Sequence, residues 1–455
     1  MLGEDRNREK YVFLETFGCQ MNDSDSGRML GFLKNINYIP TTDPGRADLV
    51  IINTCSVRDK AEQKVYSALG RYKSLKKQRP GMILGISGCV AQQEGTRLLD
   101  RVPYLDMVLG PQNIHRIKDL LQEVEARGGR VAATAQFDKI EDGEYEHAHY
   151  DGGVKALVSI MRGCDNYCAY CIVPYTRGSE VSRPASDIIE EITALAGKGV
   201  REVMLLGQNV NSYGKGFSAG GGSCSFTELL RMVAAVDGIE RIRFVTSHPK
   251  DISEELIAIF GEQSKLCHHL HLPVQSGADR MLKKMGRQYT RASYLDKALR
   301  IRELYPRMSL TTDVIVGFPG ETDDDFRDTM ALIKKVRFDG IYSFMYSPRP
   351  GTRAAGFDGQ VPVEVKSARL AVLQSAQKEI TDERNAALVG HTRRVLVEGP
   401  SKADASEWSG RTECNRVVNF PSDTAAPGRL LDVQIVAAYA NSLRGQCNER
   451  SMPCF

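Results

Sequence analysis

The chain reads as an α/β protein in three parts: an N-terminal doubly wound parallel-sheet domain, a central open barrel of six βα units, and a small C-terminal β-barrel. Three observations predict this. Apolar strand-like runs alternate with helical patterns over residues 10–137, the alternation resumes six times from residue 154, and three β-rich runs follow the last long helix. At 455 residues with 42% hydrophobic and 26% charged side chains, the length and composition suit about three folded domains. No apolar run is long enough to span a membrane, and the charged start is not that of a signal peptide. Eleven cysteines without a secretory leader point to a reducing compartment, where clustered thiols mean metal or catalysis rather than disulfides. A net charge of +3 does not by itself announce a nucleic-acid binder.

In the N-terminal part (10–137), residues 11–16, 49–53 and 82–87 read as strands. Val65, Ala68, Leu69, Tyr72 and Leu75 recur at helical spacing, and Pro80-Gly81 ends that run. Cys19, Cys55 and Cys89 each follow a strand by two or three residues, at separations of 36 and 34. In an open parallel sheet, ligand sites form beyond the carboxyl ends of the strands. The three cysteines are therefore expected to converge and to hold an iron–sulfur cluster with one open iron.

Residues 138–151 read as an acidic linker, and residues 152–382 as the central barrel. Its strands are expected at 154–161, 202–206, 242–246, 270–274, 310–316 and 341–345, with helices at 188–196, 226–236, 294–304 and 326–336. Just after the first strand come Cys164, Cys168 and Cys171, at C-x-x-x-C-x-x-C spacing. Three thiolates on one loop suit a 4Fe–4S cluster whose fourth iron has no protein ligand. A structural zinc site would want a fourth ligand, and a disulfide would leave one thiol over. Barrels of this kind take cofactor groups from the C-terminal strand ends. There lie Gln208, Asn209, Ser247 and Gln275, with Tyr170 and Arg183 on or after the cysteine loop, as candidate cofactor contacts. Cys267, His268, His269 and His271 resemble metal ligands, but alternate strand residues point to opposite faces, so the run is expected to be structural.

The tail (383–448) follows a helical run at 363–384 and carries strands at 395–398, 416–420 and 430–437, a small barrel of a type that often binds RNA. Lys73, Lys76, Lys77 and Arg79 form one basic run and Lys283 and Lys284 begin a second; both are candidate phosphate contacts. Cys224, Cys414, Cys447 and Cys454 fit no ligand spacing.

Residues 16–22 (TFGCQMN), 53–58 (NTCSVR), 88–92 (GCVAQ), 206–213 (LGQNVNSY), 272–277 (LPVQSG) and 346–352 (YSPRPGT) closely resemble the MiaB family of radical S-adenosylmethionine (SAM) methylthiotransferases, and the cysteine loop resembles the radical SAM signature, Tyr170 included. Asp165, where the family often has Asn, and the Gly/Ser-rich stretch 217–225 depart from it. The resemblance implies a radical SAM core and a TRAM domain as the C-terminal barrel. It implies two 4Fe–4S clusters: one on Cys164, Cys168 and Cys171 that cleaves SAM to a 5′-deoxyadenosyl radical, the other on Cys19, Cys55 and Cys89 that supplies sulfur. The implied reaction methylthiolates C2 of N6-dimethylallyladenosine at position 37 of tRNA, with two SAM used per product. Implied partners are the anticodon stem-loop, an electron donor such as flavodoxin or ferredoxin, and a sulfur donor, for a cytoplasmic monomer without membrane contact. Alternatives are sister methylthiotransferases acting on threonylcarbamoyladenosine in tRNA or on a ribosomal-protein aspartate, and, in another class, an iron–sulfur TRAM-bearing RNA methyltransferase. The last would need a Gly-rich SAM turn, and no G-x-G-x-G follows a strand.

Overall fold

In the computed structural model, residues 9–56, 59–141, 143–145, 150, 152–215, 224–402 and 404–447 are described. Val57 and Arg58 of the second cysteine motif, most of the Gly/Ser-rich stretch, and Cys454 lie outside them. The chain divides into two units.

The first unit is built on β1 (Lys10–Phe17), α1 (Gln20–Lys34), β2 (Tyr38–Pro40), β3 (Leu49–Thr54), α2 (Asp59–Gln78), β4 (Ile83–Gly88), α3 (Cys89–Glu94), α4 (Arg97–Arg101), β5 (Met107–Leu109), α5 (Ile117–Arg127) and β6 (Val131–Ala133). The six strands form one parallel sheet in the order β2-β1-β3-β4-β5-β6. Its residues split by parity between two cores. Leu49 and Ile51 pack with Met29, Leu33, Leu120 and Val124 of α1 and α5, whereas Val50 and Ile52 pack with Val65, Leu69 and Tyr72 of α2. Strands buried on both faces are the rule in such sheets, and β3 is buried along its whole length. The order reverses between β1 and β3, the point at which doubly wound sheets open a crevice. Strands β2, β5 and β6 escape a periodicity reading because each has only three residues.

The same unit contains 161–167 and 171–183: two-residue strands Met161–Arg162 and Val181–Ser182, and the short helix Val173–Arg177. Here the expected linker is in part a packed element. Glu144 is buried, its carbonyl accepts from Arg28 Nε (3.1 Å), and its carboxylate faces Arg162 (3.6 Å). Tyr145 lies between the guanidinium groups of Arg28 and Arg183, each 4.3 Å from its ring centre.

The second unit opens with β7 (Lys155–Ser159), α6 (Ala185–Gly197), β8 (Glu202–Leu206), α7 (Phe226–Ala234), β9 (Arg241–Phe244), α8 (Glu254–Glu262), β10 (His269–His271), α9 (Asp279–Met285), α10 (Arg291–Leu304), β11 (Ser309–Val316), α11 (Asp323–Val336) and β12 (Gly340–Met345). Strands β7-β8-β9 and β10-β11-β12 pair in parallel, and a bridge from Ile242 to Leu266 joins the two sets into the expected six-stranded open barrel. Its open edges are β7 and β12. Capping fixes several helix starts: Ser225, Thr290 and Thr322 each accept from the N–H three residues on.

After α12 (Val363–Ala386), strands β13 (Thr392–Pro400), β14 (Trp408–Thr412), β15 (Val417–Phe420), β16 (Leu430–Ala438) and β17 (Leu443–Cys447) close a five-stranded barrel. It seats on the amino-terminal end of the central strands. Arg241 and Arg243 of β9 donate to the carbonyls of Arg394, Arg411, Thr412 and Glu413, and Asp339 takes Arg302, Arg384 and Arg416 together at 2.7–3.0 Å. The carboxyl ends of the central strands are left for ligands.

Candidate active site

Cys19 stands at the start of α1, Cys55 directly after β3, and Cys89 at the start of α3, all at the carboxyl edge of the first sheet and flanking its reversal point. Two buried asparagines brace this edge. Asn22 Oδ1 accepts from the Cys19 N–H (3.3 Å), and its Nδ2 donates to Asn53 Oδ1 and the Thr54 carbonyl (both 3.1 Å). Asn53 Nδ2 returns bonds to the Asn22 carbonyl (2.8 Å) and Ser26 Oγ (2.9 Å). Gly88, at φ 92°, precedes Cys89 with its α-carbon so close to the Thr54 carbonyl that a Cβ would collide.

The helix Val173–Arg177 packs against α3 and brings Arg177 into this edge. Its guanidinium is buried and donates to Asp25 (2.7 Å), while its carbonyl accepts from Gln112 Nε2 (2.8 Å). Burial works to discharge Arg177, but Asp25, then Cys89 and Cys19, hold it charged well above the usual range. In return the Cys19 thiol is pulled down to about 6, first by a hydrogen bond with the Cys55 side chain. Burial opposes this, and Arg177 and the first N–H groups of α1 reinforce it. The three cysteines and one cation therefore do converge. The hydroxyls of Ser56 and Ser87 are buried here with no hydrogen-bond partner among the described residues. Such orphan donors fit the sulfides of an iron–sulfur cluster, which accept hydrogen bonds.

On the cysteine loop, the Cys164 N–H donates to the Gly178 carbonyl (3.1 Å), and Asn166 Nδ2 donates to Cys164 Sγ (3.3 Å). Cys168 Sγ accepts from Arg287 Nη1 (3.4 Å), and the next N–H, of Ala169, donates to the Met285 carbonyl (2.8 Å). Arg287 also donates to Tyr170 Oη (3.4 Å), Tyr289 Oη (2.9 Å) and the Pro273 carbonyl (2.8 Å). It is buried and held charged against that burial by Tyr170, Tyr289 and Cys168. Among the described residues, no three His, Cys, Asp or Glu side chains are set for a single metal ion. A cubane cluster differs in spreading its thiolates over separate irons.

Of the polar strand-end residues, Gln208 and Ser247 carry buried side-chain atoms with no hydrogen-bond partner among the described residues, and such atoms suit the polar groups of a ligand. Asn209 is instead used inside the fold, accepting from the His248 N–H (3.1 Å) and donating to Asp251 (2.8 Å). Arg183 lies over Tyr145. Gln275 turns the chain at φ 69° after β10.

Two sequence expectations need correcting. The basic run 71–79 is acid-free only in sequence: Arg71 meets Glu15, Lys76 meets Asp106, Arg79 meets Asp48, and Lys73 lies over the Tyr104 ring. Strand β1 and loops 30 or more residues away supply the acids, which leaves Lys77 as an exposed cation with no ion pair among the described residues. In the second run Lys284 donates to the Pro319 carbonyl (2.9 Å) while Lys283 stays exposed, and Arg287 is the buried cysteine-loop contact. The histidine run also converges more than expected. His269 and His271, two apart on β10, share a face and both reach Thr311 Oγ1 (3.3 and 3.0 Å). The site also takes in Asn22, Asn53, Asp25 and Arg287, of which only the two asparagines stand inside the cysteine motifs.

Family models match residues 11–110 (uncharacterized protein family UPF0004), 158–333 (radical SAM superfamily) and 386–447 (TRAM domain). The chain is 51% identical over 438 residues to the tRNA-2-methylthio-N(6)-dimethylallyladenosine synthase of Geobacter sulfurreducens, covering 96% of this chain and 97% of that one. It is 50% identical to the enzyme of the same name from Hahella chejuensis, covering 96% and 98%. Among solved structures, the radical SAM methyltransferase TsrM of Kitasatospora setae superposes with a TM-score of 0.55 at 12% identity, over 76% of this chain and 77% of that one. At that identity the likeness concerns the fold.

Proposed function

Because the chain belongs to the tRNA-2-methylthio-N(6)-dimethylallyladenosine synthases, we propose that it is a radical SAM tRNA methylthiotransferase acting on C2 of N6-dimethylallyladenosine at position 37. Its cofactors are SAM and two 4Fe–4S clusters, for which Cys164, Cys168 and Cys171 form one ligand set and Cys19, Cys55 and Cys89 the other. When bound, these groups supply one-electron reductive cleavage of SAM and a transferable sulfur, with two SAM used per product.

The protein's own part is to hold and orient. The observation that carries the reading is the meeting of Cys19, Cys55 and Cys89 with buried Arg177 at one sheet edge. Arg177 offsets the negative charge that three thiolates, those of Cys55 and Cys89 buried, bring to this edge, and Asp25 fixes its direction. Ser56 and Ser87 offer donors to the group held there. Arg287 ties Cys168 and Tyr170 to the wall of the central barrel, orienting the loop. Gln208 and Ser247 supply polar partners for SAM at the adjoining strand ends. The TRAM barrel and the exposed cations Lys77 and Lys283 suit contact with the anticodon stem-loop, and an adenine splayed from that loop can reach a barrel mouth.

No helix among the described residues is long and apolar enough to cross a membrane. We place the enzyme in the cytoplasm as a monomer, served by a flavodoxin- or ferredoxin-type reductant and a separate sulfur donor. The test is anaerobic turnover of the reconstituted protein with SAM, reductant and an anticodon stem-loop bearing N6-dimethylallyladenosine, read by nucleoside mass spectrometry. A 2-methylthio product is expected. SAM cleavage without it would sink the substrate or sulfur assignment, and no cleavage at full iron loading would sink the radical reading.

A further inference from the structure

The inner face of the second half of the barrel is lined in layers. Parallel pairing sets His271 beside Thr311, Asp313 beside Tyr342, and Ile315 beside Phe344, and paired residues of parallel strands share a face. That face is the inner one. Between Tyr342 and Phe344, Ser343 turns outward to accept from Gln374 of α12 (3.3 Å), whereas the Tyr342 ring meets His271 at 5.7 Å. His271 in turn holds Asp313 (3.5 Å) and Thr311 (3.0 Å). One layer up, Ile315 and Tyr170 both pack against the buried cluster that holds Phe318 and Tyr346, and the Tyr170 and Phe318 rings meet edge-on at 6.5 Å. An apolar path thus runs from the residue before Cys171 down to Phe344 and Tyr342.

These last two side chains have no covering element of their own unit. Tyr342 is 58% exposed and Phe344 41%, on the open edge strand of the barrel. Aromatic faces left open on a sheet suit a splayed nucleobase. Asp313 presents a carboxylate beside Tyr342 in this layer. That acid tolerates a neutral hydrocarbon substituent and repels an anionic one.

We propose that Tyr342, Phe344, Ile315 and Asp313 form the pocket for the N6 substituent of the target adenosine, selecting an apolar group and rejecting one that carries a carboxylate. The inference rests on the reaction read above and adds to it the basis for choosing the dimethylallyl over the threonylcarbamoyl substrate.

The test compares anaerobic binding of the cluster-loaded full chain to three anticodon stem-loops. These bear N6-dimethylallyladenosine, unmodified adenosine or N6-threonylcarbamoyladenosine, and fluorescence anisotropy gives Kd for each. The wild type should favour the dimethylallyl RNA over both others by about 10- to 100-fold. Phe344→Ala and Tyr342→Ala should each cut the preference over unmodified RNA by about tenfold or more, at unchanged iron content and Tm. Asp313→Asn should tighten the threonylcarbamoyl RNA by about tenfold while leaving unmodified RNA alone. Ser343→Ala, on the outward face, should change nothing. Equal Kd values for the three RNAs in the wild type, or unchanged discrimination in all three inner-face variants, would overturn the pocket. Turnover of the dimethylallyl RNA by the wild type tests the reaction separately: binding with the expected preference but without conversion keeps the pocket and loses the reaction.

Discussion

The two cysteine triplets reach similar chemistry by opposite routes. Cys164, Cys168 and Cys171 lie within eight residues of one loop, whereas Cys19, Cys55 and Cys89 come from three strand ends spread over 71 residues. The loop set is local, and its arginine, Arg287, arrives from the barrel to hold Cys168. The sheet-edge set exists only when β1, β3 and β4 are paired in register. Its arginine, Arg177, arrives from just beyond the other cysteine loop. Local spacing makes the first site robust to errors of folding, while the second reports directly on the integrity of its sheet.

The sharpest break of this comparison removes one ligand from each set. Cys171→Ala should reduce 5′-deoxyadenosine formation to background and end thiolation with it. Cys55→Ala should leave SAM cleavage in place and abolish only the 2-methylthio product. Each variant should keep about half the wild-type iron after reconstitution. Loss of SAM cleavage in Cys55→Ala would contradict two separable sites.

A smaller effect follows from the brace. Asn53→Ala strips three buried hydrogen bonds between the end of β3 and α1; the Thr16–Ser26 bond beside them goes only indirectly. We expect a loss of about 1–3 kcal/mol in urea unfolding. The sheet-edge cluster should be lost to a chelator about 10- to 100-fold faster, with the loop cluster unaffected. Its counterpart, Asn166→Ala, removes one part-buried contact to Cys164 and should cost less than about tenfold in retention of the loop cluster. Equal effects on both clusters would erase the local-versus-assembled distinction.

The same contrast explains what the sequence made legible. Strands with a clear apolar signal, continuous in β3 and alternating in β11, stand where the pattern places them, because burial on both faces or on one writes itself into the residues. Cys19, Cys55 and Cys89 could be grouped because each repeats one position relative to its strand. What stayed hidden depends on partners distant in the chain. The acids that neutralise the run 71–79 sit on β1 and in loops 30 or more residues away. Arg287 follows Lys283 and Lys284 in a cationic stretch, and nothing local announces that it packs against Cys168, 119 residues away. Strands β14 and β17 of the small barrel, with Gly410 and Gly445 at their centres, carry little strand signal because the Leu396 carbonyl at Gly410 and the Val433 side chain at Gly445 leave no room for a side chain there.

The smallest effect asks whether the sheet edge is organised before any cluster is loaded. In the cluster-free protein, Cys19 is held down to about 6 by Cys55, Arg177 and the start of α1, against an unfolded thiol near 9.0. A depressed folded value contributes stability that is full above about pH 9, shrinks as pH falls, and is gone below about 6. Alkylation of the cluster-free protein by iodoacetamide, with Cys19 followed by peptide mass spectrometry, should therefore be half-maximal near pH 6. Arg177→Met should move that midpoint upward, since it removes the cation while Cys55 and the helix start remain. A wild-type midpoint near the unperturbed 9.0 would mean that the edge assembles only around its cluster. The two sites would then differ in where their ligands come from but not in how far the protein prepares them.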